Sequence, residues 1–105
     1  MVTFEDFKKL ELKVGEIKEV DNHPNADKLY ILKVDTGEER TIIAGIKNSY
    51  NKEELVGKKI IVVCNLEEKE LRGILSQGML LAVDEGDDTS LLTIDKDAKI
   101  GGRVS

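Results

Sequence analysis

The chain has 105 residues, 40% hydrophobic and 35% charged, a size and composition that suit one compact domain, residues 1–105, around a single core. Its lone cysteine, Cys64, excludes an internal disulfide and the disulfide-built secreted scaffolds, and neither an apolar run of about 20 residues nor a signal-peptide pattern is present, so the expected setting is the reducing cytoplasm, away from membranes. A net charge of −5 opposes nucleic acid, whose phosphates are usually met by Lys and Arg, but the acidity lies toward the ends: residues 1–21 and 84–105 carry −2 and −3, whereas residues 22–66 carry +1.

In chain order, Thr3 is a candidate N-cap with Asp6 as its capping-box partner. Phe4, Phe7 and Leu10 recur at helical spacing, which predicts a short helix whose apolar residues must cover something. From Leu12 the pattern alternates, slips phase around Gly15 and resumes at Ile17 and Val20; a glycine at such a slip predicts a bulge that bends the strand. The turn-rich Asp21-Asn22-His23-Pro24-Asn25 leads into a strand at Leu29–Asp35, a Thr36-Gly37 turn and a second strand at Arg40–Ile46, together a hairpin. Residues Asn51–Val56 have the charge and spacing of a short helix, and the β-branched Lys58–Leu66 reads as a buried strand. Further strands are predicted at Gln77–Val83 and Ser90–Ile94. The sum is an all-β chain, read as a five-stranded OB-fold Greek-key barrel with a short helix between strands three and four and short terminal extensions. A β-sandwich or an SH3-like barrel shares much of this pattern; the helix position favours the OB arrangement.

Catalytic and metal chemistry find little support. The single His23 precedes Pro24 in a turn with no second His nearby, so no His/Cys metal cluster and no cofactor is expected. Cys64 ends the apolar run Ile61-Val62-Val63-Cys64, which suits an inert core thiol better than a nucleophile. Phosphate-loop and dinucleotide fingerprints are absent, and Asp84-Glu85-Gly86-Asp87-Asp88 has the composition of a solvated loop rather than EF-hand spacing. The aromatics are few, Phe4, Phe7, Tyr30 and Tyr50, with no tryptophan. A binder of extended single strands stacks bases on aromatic faces, so RNA recognition by this chain is expected to address a folded shape. If Tyr30, Leu32 and Val34 point inward, alternation turns Leu29, Ile31, Lys33 and Asp35 outward. Arg40 is expected near Lys33 across the hairpin, making a modest two-cation patch.

Several segments taken together resemble the tRNA-binding domain family. These are Leu12-Lys13-Val14-Gly15-Glu16-Ile17, His23-Pro24-Asn25-Ala26-Asp27-Lys28-Leu29-Tyr30, Asn65-Leu66, and Leu71-Arg72-Gly73-Ile74-Leu75-Ser76-Gln77-Gly78-Met79-Leu80-Leu81-Ala82, in order across the chain from about Phe7 to Val104. The resemblance implies a non-catalytic OB barrel that grips folded tRNA and assists methionyl-tRNA synthetase. Its RNA-facing positions would fall at Asn25, Ala26, Lys28, Lys33, Ser76, Gln77 and Met79, with Arg40 and Arg72 adding charge. It further implies a homodimer joined through the chain ends, with Phe4, Phe7, Leu10, Ile100 and Val104 as candidate interface residues. Departures are Gln77 where the family commonly has Glu, Ala44 for a usual serine before Gly45, and Asn51-Lys52 for a helix-opening proline. A chaperone-like branch of the same fold, binding polypeptide in the groove, is the alternative.

Overall fold

The computed structural model describes residues 1–105. The Thr3 hydroxyl oxygen accepts a hydrogen bond from the Asp6 amide and the Asp6 carboxylate accepts one from the Thr3 amide, so the expected capping box opens helix α1 (Phe4–Lys8). The strands β1 (Leu12–Asn22), β2 (Tyr30–Asp35) and β3 (Glu39–Ala44) follow, then helix α2 (Lys52–Leu55) and strand β4 (Lys59–Val63). The remaining elements are short: β5 (Lys69–Leu71), β6 (Ile74–Ser76), β7 (Met79–Leu80), β8 (Ala82–Asp84), β9 (Thr89–Leu91) and β10 (Arg103–Val104). The main antiparallel sheet has the order β3-β2-β1-β4-β7, with β10 added along β1, while β5-β6 and β8-β9 form separate two-stranded ribbons. This is a nearly closed, all-β barrel of OB type with α2 between its third and fourth strands. The single strand expected at Gln77–Val83 is divided between β7 and β8, and the β5–β6 hairpin and β10 were not foreseen.

The core explains the β-branched runs. Ile17, Leu32, Val34, Ile42, Leu55, Ile60 and Val62 are fully buried inside the barrel, and each large aliphatic side chain so buried contributes about 1.5–3 kcal/mol. Ile60–Cys64 is uniformly apolar because this stretch is buried on both faces: Ile60, Val62 and Cys64 join the interior cluster, whereas Ile61 and Val63 are buried outside it. Those two pair in register with Val14 and Leu12, and the C-terminal tail pairs along the other edge of β1, with Val14 exchanging backbone hydrogen bonds with Gly101 and Gly102. The phase slip in β1 therefore has a different cause from the one expected. Gly15 pairs regularly with Ile60, and the bulge lies further on, between Ile17 and Glu19. Glycine is required at position 15 by close approach, since a Cβ there would sit 2.8 Å from Val34 Cγ1. Leu12 and Val14 are buried outside the interior cluster; Ile17 and Val20 belong to it.

The barrel is closed by residues 76–81, which bridge β3 and β4. On one side the Gln77 amide donates to Thr41 O (2.7 Å), the Thr41 amide donates to Gln77 Oε1 (2.9 Å), and the Ile43 amide donates to Ser76 Oγ (3.0 Å). On the other, β7 pairs with Val62 and Val63, and the Leu81 amide donates to Ile61 O. Gly78 has φ +134°, and a Cβ there would lie 2.8 Å from Val63 O. Arg40 bolts this seam from within. Its Nη1 donates to both Cys64 O and Gln77 O at 3.0 Å, Nε donates to Thr36 Oγ1 (3.0 Å), and Nη2 pairs with Glu38 (2.6 Å). The expected two-cation patch is thereby corrected: Arg40 stands opposite inward Val34, whereas Thr41 stands opposite Lys33, so the two cations belong to opposite faces.

Two unfolding measurements test this seam. Arg40→Ala leaves Cys64 O and Gln77 O without their charged donor and should lower the urea unfolding free energy by about 2–4 kcal/mol. Ser76→Ala strands the buried Ile43 N–H and should cost about 1–3 kcal/mol. Unchanged midpoints in both variants would mean that the barrel closes by other means.

Candidate nucleic-acid interface

His23 organises the segment His23–Tyr30, one of the four on which the resemblance rests. Its side chain is only 5% exposed, and its Nδ1 accepts the Asn25 N–H at 3.0 Å. The proton is therefore on Nε2, which donates to Leu71 O at 2.9 Å, a link across 48 positions of sequence. Asn25 adds a second link through its Nδ2, which donates to Arg72 O at 3.3 Å. The loop itself is closed by the His23 amide donating to Leu29 O and the Leu29 amide donating to Ala26 O. His23-Pro24 does shape a turn, but the imidazole also stitches that turn to the Leu71–Ala82 segment, a role spacing alone does not reveal.

The stitched partner is the tip of the β5–β6 hairpin. Arg72 (φ +52°) and Gly73 (φ +90°) occupy its two central positions. Two positive φ values are the signature of a type I′ turn, whose first central position favours Asn, Asp or Gly. Arg72 is the only non-glycine residue of the chain with positive φ, at a cost of roughly 1 kcal/mol. The Leu71-Arg72-Gly73-Ile74 pattern is the signal that predicts this hairpin.

The candidate residues divide into two groups. Asn25, Lys28, Arg72 and Met79 are exposed, and Ala26 and Lys33 are half-buried. Lys33 points outward as expected and donates to Thr41 Oγ1 at 2.8 Å. None of Lys28, Lys33 and Arg72 takes part in an ion pair, whereas Arg40 is bound to Glu38 and is 14% exposed. Ser76, Gln77 and Arg40 have their polar groups engaged in barrel closure. Ser76 is buried, accepting from Ile43 and donating to Gly78 O, so its hydroxyl is not presented to a phosphate or sugar. Gln77 uses Oε1 on the Thr41 amide and Nε2 toward Glu68. Thr41 thus connects Lys33 with Gln77, Ile43 connects with Ser76, and Asn25 connects with the hairpin tip, so Lys33, Gln77, Ser76, Arg72 and Asn25 are linked along β2–β3 and the hairpin, with Ala26 and Lys28 on the loop that carries Asn25. The strip is mixed in charge: Glu19 stands beside Lys33 on β1, and Glu67, Glu68 and Glu70 surround the base of the hairpin.

Two depressions flank Met79, which is 49% exposed. One, of about 340 Å³, is lined by residues that include Ile43, Ala44, Gly45, Leu81 and Thr89. The other, of about 270 Å³, is lined by Leu66, Lys69, Leu71 and Ser76 among others, and both share Ile43 and Met79. The aromatics lie elsewhere. Tyr30 is buried and donates to Tyr50 O, Tyr50 Oη accepts the Leu91 amide, and Phe4 and Phe7 are on α1. No group of three or more His, Cys, Asp or Glu is arranged to hold a metal. Cys64 is buried, burial pushes its thiol pKa up, and both nitrogens of His23 are engaged, so no Cys–His pair exists.

Residues 12–103 match the family described as "Putative tRNA binding domain". The chain is 60% identical over 104 residues to a methionine–tRNA ligase of Pyrococcus horikoshii, covering 98% of this chain but only 14% of that ligase. Among solved structures, it superimposes with a TM-score of 0.92 and 38% identity on a MetRS-related protein from Pyrococcus horikoshii, covering 100% and 98% of the two chains. A CsaA chaperone protein from Picrophilus torridus superimposes with a TM-score of 0.93 and 37% identity over the whole of both chains. With residues 12–103 inside the match and the segments His23–Tyr30 and Leu71–Ala82 joined by the His23–Leu71 hydrogen bond, the chain belongs to the tRNA-binding domain family.

Proposed function

We propose that this chain is a non-catalytic module that recognises folded tRNA by shape and assists methionyl-tRNA synthetase in the cytoplasm. The observation that carries the reading is the convergence of two segments, joined by the His23–Leu71 hydrogen bond, on one strip with three cations free of ion pairs. Lys28, Lys33 and Arg72 supply phosphate contacts, Asn25 offers an amide to sugar or phosphate, and Met79 gives an adaptable apolar contact to a ribose or base. Because no exposed aromatic lies on the strip, successive splayed bases have nothing to stack on, which favours a structured RNA. The similarity to part of a methionine–tRNA ligase supports a tethering role, in which the module raises the effective concentration of tRNA at a synthetase's catalytic domain.

A homodimer is part of the proposal. Helix α1 buries none of its residues against the barrel: Phe4 is 69% exposed and Phe7 38%. With Leu10, Arg103 and Val104 they line a depression of about 540 Å³ at the chain ends. A second copy covering this patch would also double a weak basic surface. The competing reading, a polypeptide-binding chaperone, is favoured by the apolar depressions beside Met79 and by the likeness to the CsaA chaperone protein.

A salt titration of total tRNA binding separates the two readings. Contacts to several phosphates should make the affinity fall steeply and log-linearly with salt; affinity that is flat with salt, or absent at low salt, rejects the tRNA reading. Lys33→Glu, on the outer face of β2, should weaken binding several-fold while the protein stays folded, its thermal midpoint lowered by a few degrees because the new carboxylate stands opposite Glu19. Unchanged binding would move the site away from β2. In gel filtration the protein should elute as a pair of 11.7 kDa chains, and Phe4→Ser with Phe7→Ser should shift it to the monomer; a monomeric parent protein removes the dimer.

A further inference from the structure

We infer that His23 is the positioning residue of the RNA-facing strip, holding the Arg72 guanidinium at a fixed place relative to Lys28 so that both engage phosphates of one folded RNA. The inference rests on the tRNA reading and adds a mechanism to it. The β5–β6 hairpin belongs to no larger sheet, and an isolated two-stranded ribbon is marginal in water. It is therefore held at two points. Its base is fixed by Ser76 on the Ile43 amide and Gln77 on Thr41. Its tip is fixed by the carbonyls of Leu71 and Arg72, which accept from His23 Nε2 and Asn25 Nδ2. Of these two tip bonds the first is the shorter, 2.9 Å against 3.3 Å, and its donor is buried whereas Asn25 is exposed. Without it the hairpin pivots about its base.

What the clip positions is an unusual residue for the place. A type I′ turn is most readily made by Asn, Asp or Gly, yet the strained position holds Arg72, exposed and without an ion-pair partner. Strain retained at an exposed cation points to a use for the charge. The same imidazole closes the loop that carries Lys28, through Nδ1 and the Asn25 amide. The Lys28 loop is also closed by the His23 amide on Leu29 O and the Leu29 amide on Ala26 O, so it does not depend on Nδ1 alone, whereas the Nε2 bond is the side chain's own hold on the hairpin that presents Arg72.

That difference provides the test, in which total tRNA is titrated against salt with the parent protein, His23→Gln, His23→Asn, His23→Ala, Arg72→Ala and the His23→Ala/Arg72→Ala double variant. Glutamine can reproduce the Nε2 donor to Leu71 O, and asparagine the Nδ1 acceptor for the Asn25 amide. His23→Gln should keep affinity within about twofold. His23→Asn and His23→Ala should lose about five- to tenfold at 0.1 M salt and flatten the slope of log affinity against log salt by about one unit, the signature of one lost phosphate contact. Arg72→Ala, altering only an exposed turn residue, should show the same loss by itself, and adding His23→Ala to it should change little further. A merely structural role lowers the folded fraction and leaves the slope at the parent value, which overturns the inference, as does a parent slope in Arg72→Ala or full additivity in the double variant. Parent protein that fails to bind tRNA, or binds it independently of salt, rejects the tRNA reading itself.

Discussion

A single guanidinium ties together the segments that meet where the barrel closes. Arg40 reaches the β2–β3 turn through Thr36 and Glu38, the end of β4 through Cys64 O, and the closing segment through Gln77 O. Placing a cation in so enclosed a position is favourable only because every arm of its planar fork finds an acceptor, with a carboxylate among them. Once the fork is engaged, residues 76–81 are fixed between β3 and β4, Ser76 and Gln77 complete the β3 edge, and Met79 is turned outward. The base of the β5–β6 hairpin inherits its position from the same bond set.

That closure decides which polar groups remain for a ligand. Ser76, Gln77 and Arg40 satisfy backbone groups that burial would otherwise leave unpaired, a role that outweighs an optional surface contact because an orphaned buried amide costs about 1–3 kcal/mol. Asn25, Lys28, Lys33, Arg72 and Met79 are left facing outward. The aromatic residues are similarly committed: Tyr30 and Tyr50 hydrogen-bond across the barrel end, and the two phenylalanines sit on α1. On the proposed reading, three cations on an acidic chain supply little charge to the strip, so the geometry in which they are held carries more of the weight. On the same reading, a strip held at both ends of a hairpin suits a ligand that is itself a folded shape.

Much of the fold was legible. The capping box at Thr3 and Asp6, the β2–β3 hairpin, the inward Tyr30, Leu32 and Val34, the outward Lys33, and α2 before β4 all follow from local pattern, because each rests on contacts between near neighbours or on strict two-residue alternation. The bulge was misplaced at Gly15 because a phase slip has two readings, an extra residue or a change in which face is covered. In β1 both occur, the change of face at Gly15 and the extra residue after Ile17. The expectation for Arg40 failed because register decides faces: with Lys33 opposite Thr41, its neighbour Arg40 must point the other way.

The amino-acid sequence by itself determined the class of barrel, the scarcity of stacking aromatics, and the four segments on which the family resemblance rests. Those properties reside in composition, short-range spacing and alternation, and they survive without knowledge of what packs on what. Tertiary structure alone decided that His23 clips one segment to another, that Ser76, Gln77 and Arg40 are spent on closure, and that Arg72 is presented at a left-handed turn position. Each of these depends on partners far apart in the chain, and the same Ser, Gln, Arg or His serves a backbone carbonyl or an RNA phosphate equally well by chemistry. Only the fold settles which acceptor is within reach.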